Sequence, residues 1–241
     1  MSKVIELDNV MKKCNDITIV SIDTLAIEKG YIYGILGKNG AGKTTLFKLI
    51  TGLKEVTSGT ISVFGSVQNS ADKSYLKKIG MCIDTPRFYQ HLSAFDNLKM
   101  HLEYMNAESC IQQIDSVMKL VGLEPTNKLP VSKYSLGMKQ RLSIARAISH
   151  KPDILLLDEP MNGLDPMGIK EIKTLLLHLL QEKQMTILMS SHVISDIVQL
   201  VNHVIIMQNG TVHWNKSMED LKQKFKENIE LNIIKTMEGN I

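Results

Sequence analysis

The segment GKNGAGKT at residues 37–44 restricts the fold of this 241-residue chain more than any other stretch. It matches the pattern G-x-x-x-x-G-K-[ST], which binds phosphate groups when it lies between a β-strand and an α-helix. The run YIYGIL before it has the residues of a strand, and KTTLFKLIT after it is typical of a helix that ends at Gly52. The sequence therefore predicts an α/β fold with a phosphate-binding turn.

The residue types in this turn suit nucleotide phosphates. Its glycines let the backbone curl so that N–H groups point at phosphate oxygens, beside the positive end of the following helix. Lys43 is expected to reach the β- and γ-phosphates, and the Thr44 hydroxyl to bind Mg²⁺. The predicted nucleotide-binding residues are Gly37, Lys38, Asn39, Gly40, Ala41, Gly42, Lys43, Thr44 and Thr45.

Two adjacent carboxylates end the apolar run DILLLDEP. Such a run is typical of a strand buried on both faces of a parallel sheet, and ligands bind at the carboxyl edge of these strands. Asp158 is predicted to hold Mg²⁺ through water. Glu159 points the other way and is predicted to be the general base for an attacking water. On its own, an acidic pair of this kind would more often be a solvated strand end.

The other segments alternate between strand and helix patterns. Residues 1–65 contain short β-rich runs, and residues 87–150 have helical patterns, with Ser93 placed to cap a helix. Strand patterns return in MTILMSSH and HVIIMQNG. The helix that begins near Pro166 is predicted to cover the sheet with one face, formed by Ile169, Ile172, Leu176 and Leu179.

Charge and cysteine content argue against several classes of function. The net charge is only +3, and no long basic run has interleaved aromatic residues, so nucleic acid is not an expected partner. The three cysteines are far apart and odd in number, so neither a disulfide framework nor a zinc cluster is predicted, and a reducing cytosol fits. The sequence shows neither a signal peptide nor a run of about 18 apolar residues, so we expect a partner to provide any membrane connection.

Three further motifs follow in a fixed order. Residues 134–141 read YSLGMKQR, residues 162–166 read NGLDP, and residues 190–192 read SSH. Together with the phosphate-binding turn and the carboxylate pair, they make five motifs. With these five motifs, the chain resembles the nucleotide-binding subunits of ABC transporters along nearly its whole length. The resemblance implies an α/β, P-loop NTPase (ABC ATPase) core with an N-terminal antiparallel β layer and an inserted α-helical subdomain. It also implies Mg-dependent hydrolysis of ATP.

The resemblance divides the chain into parts of one ABC ATPase domain over residues 1–241. Residues 1–86 and 151–216 are expected to form the α/β core, and residues 87–150 the helical subdomain. Residues 217–241 are expected to form a short tail, helical from about Met218 and with solvated lysines.

The signature YSLGMKQR precedes a helix whose N-terminus can bind an anion. By family resemblance this site closes over ATP held by a second ATPase subunit, most simply in a homodimer. Asp165 falls in the D-loop, and His192 is expected to contact the γ-phosphate and help hold Glu159 in place. A separate integral-membrane permease would keep the chain at the inner face of the cell membrane. The signature residues are Ser135, Leu136, Gly137 and Met138.

Two positions depart from the family pattern. Asp84 stands where the Q-loop normally has glutamine, which resembles exporters that protect bacteria from bacitracin and lantibiotics, in which glutamate takes that place. We interpret Asp84 as a partner of Mg²⁺, since a carboxylate accepts but cannot donate hydrogen bonds. Cys14 stands where the family stacks an aromatic residue on adenine, which predicts modest ATP affinity and poor discrimination against GTP.

Several residues could have either a functional or a purely structural role. Phe88, Tyr89, Met100 and Met105 fall where the family's helical subdomain meets its permease, although methionines commonly fill irregular cores. A structural role is expected for His91, His101, His150, His178, His203 and His213.

The alternatives for the whole chain are fewer. The resemblance implies a subunit that powers export of an antimicrobial peptide through its permease, and the nearest alternative is the ATPase of an importer or of another exporter. A non-transport ABC ATPase would normally carry a long coiled-coil insert or two fused ATPase units, and a small-molecule P-loop kinase would lack YSLGMKQR and SSH.

Overall fold

The computed structural model describes residues 2–68, 72–84, 87–225 and 228–237. They form two β-sheets and eight α-helices. The strands are β1 (Lys3–Cys14), β2 (Ile17–Glu28), β3 (Ile32–Leu36), β4 (Ser58–Val63), β5 (Ser66–Val67), β6 (Ile79–Cys82), β7 (Ile154–Leu157), β8 (Thr186–Ser191), β9 (His203–Gln208) and β10 (Thr211–Ser217). The helices are α1 (Lys43–Ile50), α2 (Ala94–Tyr104), α3 (Ile114–Leu120), α4 (Leu136–Ile148), α5 (Pro166–Lys183), α6 (Ile194–Val198), α7 (Met218–Phe225) and α8 (Ile229–Met237).

The larger sheet has six strands in the order β10-β9-β3-β8-β7-β6. All its neighbours pair in parallel except β10, which is antiparallel to β9. Residues of β3, β7, β8 and β9 are nearly all buried, because both faces of the sheet are covered. The carboxyl ends of β3, β7 and β8 therefore meet at one edge, which is where the predicted site lies.

The smaller sheet is antiparallel, in the order β2-β1-β4-β5. It packs over one face of the larger sheet with α1 in the shared core, to which Tyr33, Phe47 and Leu156 contribute. Alternate residues of the same strands, such as Leu155 and Leu157 of β7, face a second core formed with the helices. The predicted α/β class and antiparallel β layer are confirmed.

The helical subdomain is the segment between β6 and β7, which contains α2, α3 and α4. Ser93 caps α2 as predicted, because its Oγ accepts a hydrogen bond of 3.1 Å from the Asp96 N–H. In α5, Ile172, Leu176 and Leu179 are buried on the predicted face. None of the helices in the described residues combines the length and the apolar character needed to cross a membrane.

Some local predictions were wrong or incomplete. Residues 87–150, predicted to be helical, are not wholly α-helical, since a 3₁₀ helix over Glu108–Gln113 precedes α3. The sequence patterns did not reveal β6 and β10. The tail has the predicted helix from Met218 with exposed lysines, and also a second helix, α8, that was not predicted. Ile233 of α8, with 0% exposure, joins the second core. An amphipathic pattern does not show which neighbour will cover its apolar face, so burial of α8 could not be seen locally.

Candidate functional site

The phosphate-binding turn links the end of β3 to the start of α1, as predicted. Gly42 caps α1 with a φ of 102°, a left-handed conformation that side chains other than glycine rarely adopt. A Cβ atom at Gly37 would lie 2.5 Å from the carbonyl oxygen of Met207, so this position has no room for a side chain. The glycines thus allow both the curl of the turn and its close approach to β9.

Lys43 joins the turn to the end of β7. It is buried, with 6% exposure, and its Nζ donates a hydrogen bond of 2.6 Å to the Gly37 carbonyl oxygen. The same Nζ lies 3.6 Å from Oε1 of Glu159. A cation held among backbone carbonyls and a carboxylate, beside the N-terminus of α1, is suitably placed for a phosphate group.

Asp158 is held by hydroxyl groups from two other elements. Thr44 Oγ1 donates to Asp158 Oδ2 over 2.6 Å, and Ser190 Oγ donates to Asp158 Oδ1 over 2.6 Å. The backbone N–H of Glu159 donates to the same Ser190 Oγ over 2.9 Å. Ser190 therefore binds the carboxylate of Asp158 and the backbone of Glu159, a role that sequence reasoning missed. The sequence signal for it was that Ser190 belongs to the motif SSH, near the end of a strand at the same sheet edge.

The Thr44 and Asp158 oxygens fit the ligand preference of Mg²⁺. Within the described residues there is no group of three or more His, Cys, Asp and Glu side chains that could hold a metal by itself. This suits Mg²⁺, which commonly uses one or two protein oxygens together with waters and substrate phosphates.

Glu159 and His192 form the predicted pair. His192 Nδ1 lies 2.8 Å from Glu159 Oε2, and Glu159 has a φ of 50°, in the left-handed region. Such a conformation in a residue other than glycine persists where its surroundings hold it, and here Ser190 and Asn162 bind its backbone. A cavity of about 190 Å³ opens beside this pair, lined by Glu159–Leu164 and by Met189–Val193.

The signature residues lie at the start of α4. Ser135 caps the helix, and its Oγ accepts a hydrogen bond of 3.2 Å from the Met138 N–H. Leu136 is 59% exposed, and its Cδ2 would lie 2.9 Å from a Cβ placed on Gly163. Among the described residues, no hydrogen bond joins Ser135 to residues 37–45. The signature thus packs on the D-loop segment rather than on the phosphate-binding turn of its own chain.

Asp165 and Asp84 make contacts that sequence did not foresee. Asp165 caps α5 by accepting a hydrogen bond of 2.8 Å from the Gly168 N–H. Asp84 is mostly exposed, with a φ of 60°, and its Oδ2 lies 2.6 Å from Lys48 Nζ. Lys48 is one turn beyond Thr44 on α1, so an ion pair links the Asp84 segment to the helix of the phosphate-binding turn.

Cys14 ends β1 at the hairpin to β2 and is exposed. The described contacts do not bring it to the phosphate-binding turn, although β2 does approach that turn: a Cβ on Gly42 would lie 3.3 Å from Val20 Cγ2.

The larger sheet carries a phosphate-binding turn after β3, two carboxylates after β7 and a histidine beside one of them. This combination defines a P-loop nucleoside triphosphatase. The family model described as ABC transporter matches residues 20–162, which is more than half of the chain. The chain belongs to the ABC transporter family, as an ATP-binding subunit that hydrolyses ATP. The resemblance inferred from sequence is confirmed, and the kinase alternative is set aside.

The chain is similar to ATP-binding proteins that are named for bacitracin and lantibiotic transport. The chain is 40% identical over 233 residues to the bacitracin transport ATP-binding protein BcrA of Bacillus licheniformis, with 97% of this chain and 76% of BcrA covered. It is 37% identical over 229 residues to the lantibiotic transport ATP-binding protein SrtF of Streptococcus pyogenes, with 93% of this chain and 97% of SrtF covered.

Solved structures agree with the fold. CbiO1 from Clostridium perfringens, part of the ABC transporter complex cbiONQ, has a TM-score of 0.83 and 26% identity, covering 98% of this chain and 96% of its own. The dimeric bacterial ABC transporter cassette MJ0796 has a TM-score of 0.80 and 25% identity, covering 89% of this chain and 98% of its own.

Proposed function

We propose that this subunit powers a separate membrane permease that exports antimicrobial peptides of the bacitracin or lantibiotic type, for self-protection or resistance. The observation that carries the proposal is the similarity to BcrA and SrtF over more than nine tenths of the chain. The acidic residue at position 84 also favours export over import. Such a subunit would work at the inner face of the cell membrane, bound to its permease.

We assign the chemistry to the cluster at the sheet edge. Residues 37–45 would bind the phosphates of ATP, with Lys43 at the β- and γ-phosphates. Thr44 and Asp158 would hold Mg²⁺, which when bound neutralises charge on the phosphates. Glu159 would accept a proton from the attacking water, and His192 at 2.8 Å would keep that carboxylate oriented.

The signature residues would act in a second copy of the chain. Ser135 and Gly137 begin α4, whose N-terminal dipole favours an anion, and the exposed Leu136 leaves this end open to a partner. The dimeric cassette MJ0796 has a similar fold. Two ATP molecules would then lie between the subunits, each bound by the turn of one and the signature of the other, with Asp165 in the connecting D-loop.

The remaining assignments are also proposals. Asp84 would contribute to Mg²⁺ binding when released from Lys48, and Cys14 would provide little stacking for adenine. One ABC ATPase domain would span residues 1–241, with the helical subdomain at residues 87–150.

The proposal is tested first by ATP hydrolysis of the purified chain and of its Glu159→Gln variant. We expect the variant to lose turnover and to form a dimer with Mg-ATP, seen by size-exclusion chromatography. Glu182→Gln, the same change at an exposed site, is the matched control. Undiminished turnover in Glu159→Gln would show that Glu159 is not the base.

Export is tested in a sensitive bacterium that expresses the chain together with a candidate permease from the same organism. We expect a rise in the inhibitory concentration of bacitracin or of a lantibiotic, which Glu159→Gln abolishes and Glu182→Gln preserves. If ATP is hydrolysed but neither peptide is tolerated better, the chain serves another exporter or an importer.

A further inference from the structure

A second cleft, of about 440 Å³, lies between the helical subdomain and α5 and contains none of the residues assigned to the ATP site. We call it the α3–α5 cleft. Small-molecule sites have volumes of roughly 300–1,000 Å³ and often form where two structural units meet. One side of the cleft is the end of α3 with Arg141 of α4, and the other is a single face of α5. The α5 residues that line it recur every three or four positions: Met167, Lys170, Glu171, Thr174, Leu175 and His178.

The floor of the cleft is apolar. Val121, Ile172 and Leu175 line it and are buried. Met167 also lines the cleft and is 65% exposed, and the flexible side chain of methionine adapts to ligands of different shape. An acyl chain in the cleft would remove apolar surface from water, which is favourable by roughly 25 cal/mol for each Å².

The charged groups around this floor are mostly cationic. Lys119 of α3 and Lys170 of α5 are exposed, and within the described parts of the chain neither ammonium group has an ion-pair or hydrogen-bond partner. Among the described residues that line the cleft, Glu171 has the sole carboxylate, and it is already paired with Arg141. Two ammonium groups, one from each side of the cleft, therefore remain for an anion.

An anionic group on an apolar chain would use both features of the cleft, whereas other ligands would use only one. A small anion such as acetate would pair with the ammonium groups without covering the floor. A cationic amphiphile would cover the floor but would be repelled by the excess of positive charge. A flat membrane surface would contact the exposed lysines but not the floor between the helices.

We propose that the α3–α5 cleft binds a single-chain anionic amphiphile of the fatty-acid type. Its head group would lie between Lys119 and Lys170, and its chain would lie on Val121, Ile172 and Leu175. This inference does not depend on the proposed export function, because it involves neither a permease nor a residue of the ATP site. It gives the subunit a small-molecule site beside α4, the helix that begins with the signature.

The test is isothermal titration calorimetry of the full chain with laurate below its micelle-forming concentration. We expect saturable binding of one laurate per chain. Acetate and dodecyltrimethylammonium should bind at least about tenfold more weakly, since each lacks one of the two attractions. Equal binding of laurate and the cationic amphiphile would overturn the anionic site, as would the absence of saturable laurate binding.

Two cleft variants locate the site. Lys119→Glu combined with Lys170→Glu should weaken laurate binding at least about tenfold, because attraction becomes repulsion. Thr174→Trp fills the cleft without a change of charge and should weaken binding as well. Lys128→Glu combined with Lys183→Glu makes the same charge change at exposed positions outside the cleft, and this control should bind laurate as the wild type does.

All the substituted side chains are exposed, so each variant is expected to fold, which thermal unfolding checks. Unchanged laurate binding in either cleft variant, or an equal loss in the control, would overturn the proposal. Sedimentation with phosphatidylglycerol vesicles is the second measurement, and the wild-type chain should stay in the supernatant. Co-sedimentation that the Lys119 and Lys170 double variant loses would assign these lysines to a membrane surface and would also overturn the cleft site.

Discussion

The hydroxyl group of Thr44 donates a hydrogen bond of 2.6 Å to Asp158, although 114 positions separate the two residues in the chain. Thr44 lies in the first turn of α1, and Asp158 directly follows β7. The contact therefore joins the phosphate-binding turn to the acidic strand end. It also brings together the two oxygen donors that we assign to Mg²⁺.

Replacing Thr44 by Val should abolish most ATP hydrolysis while preserving the shape of the side chain. The loss should be about a hundredfold, since charge neutralisation by the metal is worth several kcal/mol and tenfold in rate is about 1.4 kcal/mol. Phosphate release measured against Mg²⁺ concentration checks this. Thr44→Ser retains the hydroxyl and should keep most activity, so equal activity of the Val and Ser variants would contradict the metal role.

Ser190→Ala should lower turnover by tenfold to about a hundredfold, because Ser190 orients both Asp158 and Glu159 and small displacements of catalytic groups are costly. It should also cost about 1–2 kcal/mol of stability, since the partly buried carboxylate of Asp158 loses a hydrogen bond. Steady-state kinetics and urea unfolding measure the two effects. Ser191→Ala, whose hydroxyl instead contacts Val193, is the control and should change turnover much less.

His101 should make the isolated chain less stable in acid. Burial, and then the nearby His150 and Arg146, lower its pKa from an ordinary value of 6.5 to about 4 in the folded state. Between these pH values the unfolded chain therefore binds a proton that the folded chain does not. Stability contributed by the neutral imidazole is present above pH 6.5 and is lost as the pH falls towards 4, by up to about 3 kcal/mol.

Chemical unfolding at a series of pH values checks this prediction. His101→Leu should remove much of the pH dependence, whereas His91→Gln, at an exposed position, should not. An unchanged pH profile in His101→Leu would assign the acid sensitivity to other groups.

Asp84→Ala should raise the Mg²⁺ concentration needed for half-maximal ATP hydrolysis and lower transport-coupled activity. Lys48→Met removes the ion pair without removing the carboxylate, so it should leave the Mg²⁺ requirement nearly unchanged. Titrations of Mg²⁺ on both variants distinguish the roles. Full activity of Asp84→Ala would contradict a metal role, and equal effects in both variants would instead assign Asp84 to the ion pair.

The local sequence determined the parts of this protein whose physics is local. The phosphate-binding turn was predicted from its glycines, which permit a sharp turn, and from the strand pattern before it and the helix pattern after it. Ser93 was recognised as a helix cap because its hydrogen bond spans only three residues. The unbroken apolar run at residues 154–157 predicted a strand buried on both faces, as found. The order of five motifs was enough to infer the family.

Only the tertiary structure decided which distant groups meet. Ser190 binds Asp158 and Glu159 because β7 and β8 are neighbours in the sheet. The sequence of one strand does not show which other strand it pairs with. The Asp84–Lys48 ion pair, the burial of Ile233 and the α3–α5 cleft likewise depend on packing between elements far apart in the chain. Residue type determines what a side chain can bind, and the fold determines what it can reach.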